Sequence, residues 1–219
     1  MGVRLLRTSA VYRPQGDTWL LERALGESGI QPGIRVLDVG TGTGALALAA
    51  ARAGAGEVTA VDVSIPAVVV ARINAWLRGL PVRVEPGDAL DHDYRWPFDL
   101  VLANPPYVPA GLSGPPRGAA RAWDAGADGR EIIDRLCART TELLAAGGTL
   151  LMVQSDLADP EATLARLRAA GLKAAVVDRR RQEFGPVLDG RADALEDRGL
   201  IRRGQRHEEL VVIRADRTR

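Results

Sequence analysis

The most specific chemistry in this chain sits in Asn104-Pro105-Pro106-Tyr107, which follows directly on the apolar run Phe98-Asp99-Leu100-Val101-Leu102-Ala103. Proline has no backbone N–H and a fixed φ, so two in succession leave carbonyl oxygens free as rigid acceptors. The Asn104 side chain adds another acceptor, and Tyr107 adds a flat face. This set suits a planar N–H₂ group. The acceptors take its hydrogens in the plane, the ring covers one side, and the nitrogen faces an electrophile on the other. The same four residues also suit an ordinary turn in which Asn104 caps local backbone and Tyr107 lies on a rim.

A second stretch, Gly40-Thr41-Gly42-Thr43-Gly44, comes after the apolar segment Arg35-Val36-Leu37-Asp38-Val39 and before an alanine-rich run. A strand, a glycine loop and a helix in that order form a nucleotide-type unit, because glycines let a ligand approach the backbone and the helix N-terminus is electropositive. The spacing is GxGxG, not the GxGxxG of dinucleotide enzymes, which counts against a nicotinamide dehydrogenase. About twenty residues further on, Asp62 ends another apolar run, where a ribose hydroxyl pair would be held; it also suits a helix cap ahead of Pro66. Asp88-Ala89 follows Gly87 and could receive an adenine amino group, while Asp91-His92-Asp93-Tyr94 reads as a polar loop.

Other chemistries are poorly supplied. Cys137 is the single cysteine, which leaves no intramolecular disulfide and no cysteine-rich metal site, and His92 and His207 lie at no metal-ligand spacing. No metal is expected, and Cys137 reads as a small buried hydrophobe. A net charge of +1 gives no overall field for nucleic acid, and the clusters at Arg179-Arg180-Arg181 and Arg202, Arg203 and Arg206 read as solvated surface charge. There is no apolar run of membrane-spanning length and no signal-peptide pattern, so a cytoplasmic location is expected.

Positioning these residues requires a regular scaffold. The chain has 219 residues, 46% hydrophobic and 26% charged, which is ordinary for one well-buried domain over 1–219. An irregular lead-in, 1–31, is expected to contain a helix capped by Asp17 or Thr18, with Trp19, Leu20, Leu21, Ala24 and Leu25 on its apolar side. Strands are predicted at 35–39, 57–63, 82–84, 98–103, 149–153, 173–177 and 209–213. Helices are predicted at about 45–52, 67–77, 130–144 and 159–170, the third with Ile132, Ile133, Leu136 and Leu143 inward and Gly147-Gly148 ending it. A short helix is expected at 192–198 within a charged insertion, 184–206. The glycine- and proline-rich stretch 108–129 is long for a loop and sits where a substrate-side flap would. The alternation predicts an α/β fold: a doubly wound, mostly parallel seven-stranded sheet with an antiparallel last strand.

Nearly the whole chain resembles the class I S-adenosylmethionine-dependent methyltransferases, through the loop at Asp38 to Gly44, through Asp62 and through Asn104-Pro105-Pro106-Tyr107. Two further stretches are similar to the HemK/PrmC-type glutamine methyltransferases of release factors. Val11-Tyr12-Arg13-Pro14-Gln15-Gly16-Asp17-Thr18-Trp19-Leu20-Leu21 matches the segment that closes over the cofactor in the family's short branch. Ala122-Trp123-Asp124-Ala125-Gly126-Ala127-Asp128-Gly129-Arg130 matches the flap after the catalytic strand.

The resemblance implies S-adenosylmethionine as cofactor. It places Asp17 and Thr18 near the methionine moiety, Asp38, Gly40 and Gly42 at the cofactor loop, and Asp62 with Val63 at the ribose. It puts Asp88 and Ala89 at the adenine, and Asn104, Pro105, Pro106 and Tyr107 at the target amide. It further implies a protein substrate such as a peptide chain release factor. Only about thirty residues precede the first strand, as in the short branch, where a small zinc-binding activator protein can be needed. The alternatives are methylation of a nucleic-acid base amino group, which requires base flipping in a duplex, or of a small-molecule amine or amide. A cofactor-binding but inactive subunit is the reading from another class.

Overall fold

The structure is a computed structural model that describes residues 5, 6, 8, 10–29, 31–109 and 123–218. Most of the predicted flap, including Pro115-Pro116, therefore lies outside the described residues, as does part of the lead-in. The elements in chain order are α1 (Gly16–Glu27), β1 (Arg35–Val39), α2 (Ala45–Arg52), β2 (Glu57–Asp62), α3 (Ile65–Trp76), β3 (Val82–Pro86) and β4 (Phe98–Ala103). They continue with α4 (Glu131–Leu143), β5 (Leu144–Ser155), a 3₁₀ turn at Asp156–Ala158, α5 (Pro160–Ala169), β6 (Lys173–Glu183), α6 (Pro186–Asp189), α7 (Ala192–Asp197) and β7 (His207–Asp216).

All seven strands form one sheet in the order β3-β2-β1-β4-β5-β7-β6. β1 to β5 are mutually parallel where they pair, and β7 runs antiparallel between β5 and β6. The predicted α/β architecture is therefore present, with its antiparallel strand as expected. The strands are apolar on both faces, as a sheet covered by helices requires: Leu37, Val61, Val101, Leu102, Met152, Val153 and Val212 are fully buried or nearly so. α1 packs on α2 and on β5, β6 and β7, while α4 packs on α5 and β5. Cys137 is buried among these residues, and burial pushes its thiol up to about 11, which keeps it protonated and unreactive.

Three local expectations fail for physical reasons. Trp19 is 43% exposed, because the inward arc of α1 is already filled by Leu20, Leu21, Ala24 and Leu25. α4 ends at Leu143 and passes directly into β5, so Gly147-Gly148 lies within the strand and is not the helix stop. A Cβ on Gly148 would sit 2.9 Å from the Phe98 carbonyl, so this glycine serves a close strand approach. Strands β6 and β7 are also much longer than their apolar cores suggested. They pair from Lys173 opposite Asp216 out to Glu183 opposite His207, well beyond the end of β5. Their outer part is charged, and it is held by ladder hydrogen bonds and by pairs such as Arg179 with Glu209 at 2.7 Å. Arg179, Arg180 and Arg181 are exposed.

Among the described residues no helix is long and apolar enough to cross a membrane. Among the same residues no group of three or more His, Cys, Asp and Glu is placed to hold a metal.

Candidate active site

The strand order reverses between β1 and β4, and ligands in such sheets bind in the crevice beyond the carboxyl ends at that point. Val39 lies opposite Ala103, and Val39 also lies opposite Val61. Gly40, Asn104 and Asp62 therefore leave the sheet side by side, and Gly87 follows from β3, its N–H donating to the Asp62 carbonyl. A cavity of about 470 Å³ opens there, within the usual range for small-ligand pockets.

On the β1–β3 side the glycine loop forms one wall. Gly40 and Gly42 have φ of 70° and 55°, and a Cβ added to either meets nothing within 4 Å. The left-handed backbone needs glycine, and the space its missing side chain leaves belongs to the cavity. Asp62 accepts hydrogen bonds from Gly42 N at 2.8 Å and Ser64 N at 2.8 Å. It thus ties the loop to the start of α3, whose cap position is held by Ser64. Burial raises the Asp62 carboxyl above its ordinary range, while those two backbone donors pull it down. Val63, Asp88 and Ala89 continue this wall. Asp88 accepts from Leu90 N at 2.9 Å and pairs with Arg135 at 2.9 Å.

Asp38 stands apart from the other residues singled out in sequence. It does not line the cavity but lies behind the loop, 0% exposed, accepting from Thr41 Oγ1 at 2.6 Å and Ala47 N at 3.1 Å. Its other oxygen has no hydrogen-bond partner among the described residues, and burial raises its pKa to about 6.

Asn104, Pro105, Pro106 and Tyr107 line the opposite wall. The Asn104 amide donates to Thr18 Oγ1 at 3.3 Å, and that hydroxyl donates to Asp17 Oδ1 at 3.2 Å. Asp17 Oδ2 accepts from the Tyr107 hydroxyl at 3.1 Å and from the Tyr12 hydroxyl at 2.8 Å. One buried carboxylate in the first turn of α1 thus holds both ends of the Asn-Pro-Pro-Tyr stretch. Its place corrects the expected cap: the helix begins at Gly16 after Gln15, and no side chain caps it. With its amide nitrogen committed to Thr18, Asn104 keeps its oxygen as a free acceptor. Burial first, and then the Asp17 charge, raise the Tyr107 phenol well above its ordinary value, so it remains a neutral donor.

The remaining wall was not foreseen. Gln182 at the end of β6, Glu208 at the start of β7, and 185–188 with α6 all face the same cavity. The site rule for these sheets looks at carboxyl ends, and Glu208 arrives at the crevice by the amino end of an antiparallel strand. No local pattern marks it, since His207, Glu208 and Glu209 are all polar; the alternation of the paired strand buries Glu208 between the half-buried His207 and Glu209.

The insertion also holds the base of the predicted flap. Val108 pairs with Asp124, and Arg191 contacts both the Pro109 carbonyl at 3.0 Å and Asp124 at 2.6 Å. At the far end Gly129 packs against Tyr107, where a Cβ would lie 2.4 Å from the Tyr107 carbonyl oxygen.

Similarity to known proteins agrees with this geometry. The family described as methyltransferase small domain matches residues 16–176. A release factor glutamine methyltransferase of Deinococcus radiodurans is 40% identical over 197 residues, covering 87% of this chain and 67% of the relative. A Methanocaldococcus jannaschii protein, named in the protein N5-glutamine methyltransferase group, is 32% identical and covers 85% of this chain and 93% of its own. Among solved structures, the E. cuniculi Mtq2-Trm112 complex, described as responsible for methylation of the eRF1 translation termination factor, shares the fold. Its TM-score is 0.68 at 23% identity, covering 95% of this chain and 99% of that one. With a glycine loop, the acid of Asp62 and an Asn-Pro-Pro-Tyr wall around one cavity, this chain belongs to the methyltransferase small domain family and, within it, to the HemK-type class I methyltransferases.

Proposed function

We propose that the cavity binds S-adenosylmethionine and that the protein methylates the side-chain amide nitrogen of a glutamine in a peptide chain release factor. The observation that carries this reading is the rigid presentation of Asn104 and Tyr107 by Asp17 and Thr18, beside the glycine loop at the sheet's reversal point. The names of the two curated relatives support the glutamine acceptor.

The cofactor fits the residues present. Gly40 and Gly42 leave an open cradle, and Asp62, with Val63 beside it, would hold the ribose hydroxyls on carboxylate lone pairs its backbone partners do not use. Asp88 and Ala89 would take the adenine. Asp17 and Thr18 would face the methionine portion. Asp38 acts through Thr41 and Ala47 to set the loop's shape. When bound, S-adenosylmethionine supplies an electrophilic methyl group.

The protein's own part is alignment. The Asn104 oxygen and the Pro105 carbonyl would accept the two amide hydrogens and fix the orientation of the nitrogen. The buried Tyr107 ring keeps water from one face. Transfer would join the nitrogen to the methyl group at the expense of that group's bond to sulfur, with the nitrogen giving up one proton. This chain would contribute the holding of that nitrogen at Asn104 and Pro105. Positioning and fixed dipoles of this kind can each contribute several kcal/mol.

The chain 1–219 would work as one unit, with the lead-in between Val11 and Thr18 and Val108, Trp123 and Asp124 at the flap base lining the cavity from two sides and 185–188 of the insertion forming its far wall. A small activator protein is a further proposed partner, checked by co-purification from the source cells.

The test is transfer of labelled methyl from S-adenosylmethionine into a lysate of the source cells, separated into protein, nucleic acid and small molecules. Label mapped to a glutamine of a release factor is expected, and label in RNA or a metabolite would replace the acceptor. Asn104→Ala should lower turnover by at least about a thousandfold while S-adenosylhomocysteine still binds; near-normal turnover would remove the role given to Asn104.

A further inference from the structure

Among the groups of the cavity that the transfer reading does not use, Glu208 is the buried carboxyl. Glu208 is 3% exposed, and its Oε1 accepts from the Gln182 amide at 3.0 Å across the β6–β7 pair. Its Oε2 is buried, with no hydrogen-bond partner among the described residues. The side chain lines the same cavity as Asp17, Pro106 and Tyr107. Burial pushes this carboxyl above its ordinary range, the nearby Ser155 hydroxyl, which itself donates to Asp156, and the Gln182 amide pull it down, and the Asp156 and Asp17 charges push it up again.

A buried carboxylate oxygen with nothing donating to it costs stability, and where the side chain lines a ligand cavity a bound N–H group can supply the missing donor. The β1–β3 wall lies on the other side of Asn104 and Tyr107, and it offers the cofactor its own acceptors. The free oxygen of Glu208 therefore stands beyond the Asn-Pro-Pro-Tyr wall, next to the insertion and the flap base. With the opposite wall given to the cofactor, this is the side left for the acceptor.

We propose that Glu208, held in place by Gln182, is a specificity residue that receives an N–H donor of the acceptor polypeptide adjacent to the amide being methylated. It selects for acceptors that present such a donor there, and it takes no part in binding the cofactor. The inference rests on the methyl-transfer reading given above. Gln182 acts as a positioning residue: by donating to Oε1 it fixes the carboxylate and leaves Oε2 as the oxygen without a donor. Gly16 makes room for this arrangement, since a Cβ there would lie 2.4 Å from Gln182 Oε1.

The experiment uses the full chain with the release factor encoded by the same genome as acceptor. Glu208→Gln places an amide where the acceptor oxygen was. It should raise the KM for the release factor on the order of 10- to 100-fold, with kcat at saturating acceptor and S-adenosylhomocysteine affinity by calorimetry each within about twofold of wild type. Gln182→Met removes the donor to Oε1 at similar volume and should give a smaller KM increase of the same type. An unchanged acceptor KM in a folded Glu208→Gln protein overturns the proposal, as does an equal loss of S-adenosylhomocysteine affinity. If Glu208→Gln fails to bind S-adenosylhomocysteine at all, Gln182→Met decides by the same criteria. Absence of transfer by the wild-type protein is a distinct result, which overturns the methyl-transfer reading and this inference together.

Discussion

The two sides of the cavity are built in different ways. On the β1–β3 side each functional group lies at a strand's end or follows it within a few residues, and the carboxylate of Asp62 is tied to backbone N–H groups of neighbouring turns. On the β5–β7 side the wall is assembled from the end of one strand, the start of another and an insertion between them. There the carboxylate of Glu208 leans on a side chain across the ladder and leaves one oxygen free. The first side is shaped by local chain geometry and suits an invariant small molecule. The second depends on long-range pairing, and such a wall can change its contacts without disturbing the fold. The Asn-Pro-Pro-Tyr stretch stands between them, anchored by α1 to neither.

If this division holds, substitutions on the two sides should separate cofactor effects from acceptor effects. The largest expected change concerns Asp38 behind the loop. Its folded pKa of about 6 lies above the ordinary value of 3.8, so the native state binds the extra proton in that window and stability falls as pH rises through it. Below both values the carboxyl costs nothing; above about pH 6 the full penalty, about 3 kcal/mol, is present. The stability of Asp38→Asn relative to wild type should therefore improve by about that amount between pH 4 and pH 7, read by urea unfolding. A difference that stays flat with pH would show that the carboxyl is not strained by burial.

Next in size, Asp62→Ala should weaken S-adenosylhomocysteine binding by about 2 kcal/mol, some thirtyfold, and leave the KM for the acceptor near wild type at saturating cofactor. An equal change in both constants would break the division.

Gly129→Ala acts from the opposite side. Gly129 has a φ of 78°, and an added Cβ meets the Tyr107 carbonyl, so Tyr107 must shift. Transfer should drop by about tenfold in kcat/KM for the acceptor, with cofactor affinity retained. Calorimetry beside steady-state kinetics checks both.

The smallest expected effect is that of Arg191→Ala, which releases Asp124 and the Pro109 carbonyl at the base of the flap. The pair is partly exposed, so about a threefold rise in acceptor KM is expected, and it should diminish at high salt in the wild type. A change in cofactor affinity instead would place the flap over the β1–β3 side.

Much of this was legible in the chain because it is written locally. The apolar runs with their turn residues define β1, β2 and β4, and the residues that follow each run stand at strand ends whatever the tertiary packing. That is why Gly40, Gly42, Asp62, Asp88 and Asn104 could be named in advance and why all of them line one cavity. Periodicity also marks α4 and the core positions Ile133, Leu136 and Leu143.

Other features could be decided only by tertiary structure. The full length of β6 and β7 depends on pairing between segments that are charged outside their apolar cores, and no local pattern records a ladder hydrogen bond. Asp17 is polar, lies in a helix's first turn and looks like a cap. Only the approach of Tyr107 from a strand end ninety residues away, beside the neighbouring Thr18, turns it into a hub, as the 90-residue separation of its bond to Tyr107 shows. Likewise Glu208 reads as one more acid in a run of charges until β7 inserts antiparallel between β5 and β6 and brings its first turn of strand to the crevice. Sequence spacing determines which groups a strand end or turn presents; which distant groups meet there is set by the order of the strands, since contact across a sheet costs loop entropy that no single segment encodes.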